Sequence, residues 1–285
     1  MRVGFLGPAG THSDEALRAS APAGVEEVPY PTVLQTVMAV QEGEVERAVV
    51  PIENSLEGGV AATLDALAGE ADRVRIAGEV VHRVHHCVVA ARELDLAAAT
   101  RVVSHPQATA QCARFLAERL PRAERVAASS TAEAVRLVCE AAEPSVALGS
   151  RLSAELYGCR ILAADVEDRP DNLTRFVWLA RGRESPPPAV RAKTSIVFWG
   201  PGDEAPGWLV GVLRELADRR VNLTRIESRP RRERLGHYMF FADLEGADRD
   251  PRVGDALSAL ERRVEVLKVL GSYPAAATLA DDRGR

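Results

Sequence analysis

TRVVSHPQATAQCARFLAERL, residues Thr100 to Leu120, sets an apolar strand, Arg101-Val102-Val103, directly against a helix. The helix start is marked by Ser104, read as one half of a capping box with Gln107, and by Pro106, whose missing N–H costs nothing in a first turn. A strand running into such a helix leaves free amides and the positive dipole end facing outward from the strand tip, where an anionic ligand is favoured. Gln107 and Gln111 lie four apart, so both amides project from one face and offer donors and acceptors without charge. The same pattern also fits a plain amphipathic helix, with Gln107, Gln111, Arg114 and Glu118 outside and Ala108, Cys112, Phe115 and Leu116 inside. The segment alone leaves both readings open.

Working outward, this strand-then-helix unit repeats. Short apolar runs at Val3–Leu6, Arg47–Val50, Val88–Ala90, Arg101–Val103, Val146–Leu148 and Phe176–Leu179 alternate with helical patterns at Ser13–Ser20, Thr32–Glu42, Ala61–Leu67, Gln107–Leu120, Thr131–Glu140 and Ser150–Tyr157. Such alternation predicts an α/β fold with a mostly parallel sheet. The stretch from Arg181 to Ala192, with Gly182, Ser185 and Pro186 to Pro188, reads as a stiff connector and a domain boundary. Beyond it the order is strand Lys193–Trp199, helix Gly207–Arg219, strands Asn222–Pro230 and Gly236–Leu244, helix Asp250–Arg262 and strand Val264–Leu270. That βαββαβ order predicts a ferredoxin-like domain, and the small, charged tail 275–285 is predicted to be disordered.

Composition excludes several classes. The 285 residues are 46% hydrophobic and 27% charged with a formal charge of −5, so the basic run Arg229 to Arg234 stands alone and nucleic acid is not expected as a partner. No apolar stretch approaches the length of a spanning helix and no leader pattern precedes Val3, so a cytoplasmic protein without a membrane partner is expected. Cys87, Cys112, Cys139 and Cys159 show no C-x-x-C pair and read as reduced thiols. His82, His85, His86 and Cys87 fall in one apolar run, Val80–Val89; as a single strand it would send His82 and His86 to one face and His85 and Cys87 to the other. A tetrahedral ligand set would thereby be split, and no metal is expected.

Three further segments can carry chemistry. GPAGTHS, Gly7 to Ser13, is a strand-to-helix loop that lacks the Walker lysine and the G-x-G triplet, so it reads as a capped turn with Thr11 as a candidate hydroxyl. VPIENSLEG, Val50 to Gly58, runs a buried strand into Glu53, Asn54 and Ser55, at the strand ends where open α/β sheets bind ligands. DNLTRF, Asp171 to Phe176, sets a hydroxyl beside a guanidinium and a ring at the start of a strand. Arg175 there needs a carboxylate, either Glu53 or one on a substrate.

GPAGTHS, VPIENSLEG, SHPQATAQC and DNLTRF, in this order and spacing, resemble the prephenate dehydratases, and NLTRIESRP, Asn222 to Pro230, resembles the phenylalanine-sensing segment of that family's ACT domain. The resemblance covers nearly the whole chain. It implies a two-lobed catalytic region similar to periplasmic binding proteins over 1–181, with lobes of about 1–80 plus 165–181 and 81–164, then a linker at 182–192 and a ferredoxin-like ACT domain at 193–274. It further implies decarboxylative dehydration of prephenate to phenylpyruvate in L-phenylalanine biosynthesis, without cofactor or metal, regulated by L-phenylalanine in a homodimer or homotetramer.

Carried over by motif position, Thr174 stands at the leaving hydroxyl, with Arg175, Glu53 and Asn54 as further catalytic residues. Ser55, Ser104, Gln107, Gln111, Thr11 and Phe176 would bind substrate, and Gly207, Leu209, Val210, Asn222, Glu227, Ser228, Arg229 and Pro230 would bind effector. Two positions depart from the family pattern: His12 replaces an aromatic, and Trp208 interrupts a Gly-Ala-Leu-Val type segment.

Overall fold

The computed structural model describes residues 1–182, 184, 186–187, 190–200 and 205–276. In chain order the elements are β1 (Arg2–Leu6), α1 (His12–Ser20), β2 (Glu26–Tyr30), α2 (Val33–Glu42), β3 (Arg47–Asn54), β4 (Gly58–Gly59), α3 (Ala61–Ala68), β5 (Val74–Arg83), β6 (Cys87–Ala90), β7 (Arg101–Ser104), α4 (Pro106–Gln111), α5 (Ala113–Arg119), β8 (Glu124–Ala127), α6 (Thr131–Glu140), β9 (Ser145–Gly149), α7 (Arg151–Leu156), β10 (Arg160–Ala163), β11 (Leu173–Arg181), β12 (Ala192–Trp199), α8 (Trp208–Asp218), β13 (Leu223–Pro230), β14 (Tyr238–Glu245), α9 (Pro251–Glu261) and β15 (Val266–Pro274). They form three sheets: β2-β1-β3-β11-β5 with β4 beside β3, then β10-β6-β9-β7-β8, then β13-β14-β12-β15. The β1·β2, β7·β8 and β7·β9 pairings are parallel, as expected of βα units, while β6 pairs antiparallel with β9 and β10. The chain divides into two compact units, one of residues 1–36, 49–58 and 81–176, the other of 37–48, 59–80 and everything from Val177 onward.

In the first unit, the second sheet is covered on its two sides by apolar clusters: Val102, Leu116, Val146 and Leu148 in one, Val89, Val135, Val138 and Ala147 in the other. The sequence that opens this sheet's β7–α4 junction folds differently from its capping-box reading. Ser104 stays in β7, fully buried, and its hydroxyl donates to the Leu148 carbonyl at 3.0 Å. The N-cap is His105, whose Nδ1 accepts the Gln107 N–H at 3.3 Å, with Pro106 at the first helical position as expected. The single helix read from Gln107 to Leu120 is two, broken at Cys112. The break has a tertiary cause: Asp168 places its N–H on the Gln111 carbonyl at 2.7 Å, and its carboxylate accepts the Arg114 N–H at 3.2 Å, diverting groups from the helical ladder.

Two other expectations are corrected. The run Val80–Val89 is not one strand; it leaves β5 after Arg83 and enters β6 at Cys87, so the single-strand alternation that grouped His82 with His86 and His85 with Cys87 does not run through it. Cys139 and Cys159, read as thiols, form a disulfide with Cα atoms 6.1 Å apart, whereas Cys87 and Cys112 are free and buried. The pairing joins the end of α6 to the approach of β10, a proximity created by packing around Val135 and Val138 rather than by local spacing. Elsewhere hydroxyls cap the helices they precede, Thr11 as read: Thr11 and Ser130 accept from Asp14 N and Glu133 N. Gly10 is required as glycine, since its φ is +85° and an added Cβ would lie 2.9 Å from Ser153 Cα.

In the second unit, β12, β14, α8 and α9 enclose a core of Ile196, Phe198, Val212, Leu216, Leu244, Ala256 and Leu260, and the βαββαβ order is the ferredoxin-like one. Trp208 is explained here. Its ring packs 6.3 Å from Phe198 and 5.9 Å from Phe240, so the residue that interrupts the helix start serves the core. Lys193 Nζ donates to Glu79 at 2.8 Å, and Lys268 Nζ reaches Asp72 at 3.2 Å, tying this sheet to the β5 and α3 region of the same unit. Residues 183, 185 and 188–189 of the connector and 277–285 of the tail lie outside the described residues; Ala275 still donates to the Arg191 carbonyl at 2.8 Å, so the ordered chain passes the expected boundary. Among the described residues no helix is long and apolar enough to cross a membrane.

Candidate active site

The first unit gathers a chain of amides around one hydroxyl. Asn54, at the end of β3, accepts the Leu56 and Glu57 N–H groups on Oδ1 at 3.0 and 3.1 Å. That Asx turn fixes the amide's orientation, so Nδ2 faces the Asn172 Oδ1 at 2.8 Å, the Thr174 Oγ1 at 2.8 Å and the Leu173 carbonyl at 3.2 Å. Asn172 passes the sequence on, its Nδ2 donating to Gln111 Oε1 at 3.2 Å. The same Gln111 oxygen receives the His86 Nε2–H at 3.0 Å. Thr174 therefore accepts from Asn54, and its own O–H is left to donate elsewhere.

His86 completes the network in the neutral form. It is 2% exposed, and burial, with the nearby His12, brings its pKa down to about 4. Its backbone N–H and the His85 Nδ1 both meet Glu167, at 2.9 and 2.7 Å. Glu167 is buried, which raises its pKa, but those bonds outweigh burial and hold the carboxyl below its ordinary value. These contacts, with Val84 N–H on the Asn172 carbonyl at 2.9 Å, pin the segment 84–86 to the segment 164–172.

Arg175 behaves differently from its neighbour. Its guanidinium donates to Glu53 Oε2 at 3.1 Å, so of the two carboxylates open to it from sequence the structure supplies the protein's own. Successive strand residues face opposite sides, which puts Thr174 and Asn54 on one face of the sheet and Arg175 and Glu53 on the other. Phe176 shares the Thr174 face, its ring 6.4 Å from that of His82.

The remaining sequence candidates divide. The Gln111 amide nitrogen and the Gln107 amide have no partner among the described residues, whereas Ser104 is committed to Leu148 and Thr11 to the Leu6 carbonyl at 2.9 Å. Ser55 accepts the Leu173 N–H at 2.9 Å, which ties β3 to the start of β11. Asn172, His86, His82 and Glu15 were not selected from sequence. Asn172 stood inside DNLTRF and could have been read, because an Asn directly before a buried strand must satisfy its amide; the others needed the fold.

The expected effector segment lies in the second unit. In β13 the side chains alternate, so Arg225, Glu227 and Arg229 face inward while Ile226, Ser228 and Pro230 are exposed. Arg229 forms a two-pronged ion pair with Asp65 of α3 at 2.8 and 3.0 Å, and Arg225 pairs with Glu227. Glu227 abuts Gly59: a Cβ there would fall 2.0 Å from the Glu227 Oε2. Gly207 caps α8 in a left-handed conformation, followed by Leu209 and the exposed Val210, and Asn222 accepts the Glu245 N–H at 3.0 Å.

An α/β protein with a charge-poor, amide-lined hydroxyl site and a ferredoxin-like second domain defines the class of a small-molecule enzyme joined to a regulatory module. The prephenate dehydratase family profile matches residues 3–184 and the ACT domain profile residues 194–262. A prephenate dehydratase of Amycolatopsis methanolica is 40% identical, the alignment covering 98% of this chain and 90% of that protein. The structure of prephenate dehydratase from Arthrobacter aurescens in complex with L-Phe superposes with a TM-score of 0.89 at 38% identity, covering 98% of this chain and 94% of that one. A second solved structure, described as GqqA, a novel type of quorum quenching acylase, has a TM-score of 0.85 at 35% identity, covering 97% and 98%. The chain belongs to the prephenate dehydratase family, with an ACT domain following the dehydratase region.

Proposed function

We propose that this chain converts prephenate to phenylpyruvate, a carbon–oxygen lyase step of L-phenylalanine biosynthesis, under allosteric control by L-phenylalanine. In the reaction the bond to the ring carboxylate breaks and its electron pair enters the ring. The allylic C–O bond breaks in turn, the departing hydroxide takes a proton to leave as water, and carbon dioxide and an aromatic ring remain. Aromatisation drives the step, and the protein must meet the departing hydroxide and leave the ring carboxylate weakly stabilised. Thr174 meets the first demand: because its Oγ1 accepts from Asn54 Nδ2, its O–H is the donor aimed at a ligand. The Gln107 amide and the Gln111 amide nitrogen, held in place through Asn54 and Asn172, suit the second, orienting substrate without a cation to stabilise the carboxylate that is lost. Arg175, paired with Glu53 across the sheet from Thr174, acts on this reading by positioning the two strand ends.

The acylase relative provides a second reading to weigh. An acylase needs a nucleophile held by a base. Thr174 receives a proton donor from Asn54, and Ser104 gives its proton to a main-chain carbonyl, so neither hydroxyl is activated in that manner and the dehydratase reading is favoured. Supporting the regulatory part, Glu227 abuts Gly59 and Arg229 pairs with Asp65 of α3 within the second unit. The proposal includes a catalytic region at 1–181 in two lobes, an ACT domain at 193–274, a cytoplasmic location and a homodimer or homotetramer that shares the effector. Incubating purified protein with prephenate and following phenylpyruvate, with and without L-phenylalanine, tests both parts; no product would overturn the first, and product formation indifferent to L-phenylalanine the second.

A further inference from the structure

One cluster beside the candidate active site is not used by the reaction above. On α1, His12 and Glu15 stand one turn apart, and His82 comes from the end of β5. His12 Nδ1 and His82 Nε2 lie 2.8 and 3.1 Å from the same carboxylate oxygen, Glu15 Oε2, and the three ligand atoms all fall within 4.8 Å of one another. Both imidazoles thus converge on one oxygen of a single carboxylate, brought together from two different elements. All three side chains are largely enclosed, with exposures of 17%, 19% and 21% for His12, Glu15 and His82.

We propose that His12, Glu15 and His82 form a binding site for one divalent transition-metal ion of the zinc type. Two imidazoles and one carboxylate are a ligand set for Zn2+, and imidazole also suits Ni2+ and Cu2+. With metal–ligand bonds of about 2.0–2.1 Å, ligand atoms around a tetrahedral ion lie about 3.4 Å apart, so the separations of 2.8 and 3.1 Å need to open by about 0.6 and 0.3 Å. Ion binding replaces the two N–H donors on Glu15 by one cation, each ring proton moving to its other nitrogen. His12 Nε2 is buried and lacks a partner in the metal-free arrangement, and the ring of His86, whose buried Nδ1 also lacks one, stands 5.4 Å away at 69°. Three protein ligands leave a fourth position for a water molecule.

The test is titration of the full chain with Zn2+ by calorimetry, and with Co2+ by visible absorption, after treatment with chelator. The expected result is one ion per chain at this site, with the d–d bands of a nitrogen- and oxygen-ligated Co2+, weakened at least tenfold in His82→Gln and in His12→Gln. Circular dichroism verifies that each variant is folded; if one is not, the other and Glu15→Gln carry the comparison. His85→Gln is the control, because His85, Asp165 and Glu167 form a second group of possible ligands. Absence of stoichiometric binding, or binding lost in His85→Gln and retained in the His12 and His82 variants, would overturn the proposal.

Discussion

Replacing Thr174 by Val removes the hydroxyl while nearly keeping the side chain's shape, and the structure lets its two consequences be separated. Thr174 is 8% exposed, and its Oγ1 is one of three acceptors around the Asn54 Nδ2. That nitrogen has two hydrogens, and the Asn172 Oδ1 and Leu173 carbonyl remain to receive them, so no buried donor is left unpaired. The stability cost is therefore that of one exchanged hydrogen bond, about 1 kcal/mol. Catalysis should suffer far more: loss of a proton donor to a leaving group typically costs about 10²- to 10⁴-fold, or about 3–5 kcal/mol of transition-state stabilisation. Urea unfolding of wild type and variant gives the first figure, and steady-state formation of phenylpyruvate gives the second. The expected pattern is kcat reduced by at least a hundredfold, KM within a few fold, and partial recovery in Thr174→Ser, which restores a hydroxyl in the Asn54 contact. A kcat within tenfold of wild type in Thr174→Val would refute the assignment of Thr174 as donor.

Three other outcomes are expected. His86 has a folded pKa of about 4 against an ordinary 6.5, so the unfolded chain binds a proton that the folded one does not, and unfolding free energy should fall by about 3 kcal/mol as pH drops from 6.5 to 4; pH-dependent denaturation should show a flatter slope in this window for His86→Gln, and an unchanged slope would contradict a neutral buried imidazole. Arg175→Lys and Glu53→Gln should each depress activity and, combined, cost little more than either alone, because both variants break the same pair; additive losses in the double-mutant cycle would show that the two residues act separately. Breaking the Asp65–Arg229 pair with Asp65→Asn should lower stability by about 1–3 kcal/mol and alter the inhibition curve for L-phenylalanine while kcat without effector stays near wild type; an unchanged curve would remove this ion pair from the regulatory path.

Much of the architecture was legible because it depends on local rules. The alternation of short apolar runs with amphipathic stretches announced the α/β region, and the βαββαβ order announced the second domain. Thr11 and Ser130 capped the helices they precede, since an N-cap needs only a short hydroxyl side chain at the correct position. Ser104 shows the limit of that rule. It has the same capping chemistry, but its strand is buried against β9, and the Leu148 carbonyl takes the hydroxyl before the helix can. The break at Cys112 was likewise invisible, because Asp168 imposes it from 56 residues along the chain.

By itself the sequence determined which residues stand at the strand ends: Asn54 after β3, Thr174 and Arg175 in β11, Gln107 and Gln111 on one helical face. These placements follow from hydrophobic periodicity, which acts within one element. Only the tertiary structure decided what each of them does there. It turned Thr174 toward Asn54 and Arg175 toward Glu53 on opposite faces of one sheet, brought Asn172 and His86 into the amide chain, and assembled His12, Glu15 and His82 from α1 and β5. Hydrogen-bond partners are chosen by distance and direction in space, and the residues that meet here are separated by as many as 122 positions in the chain.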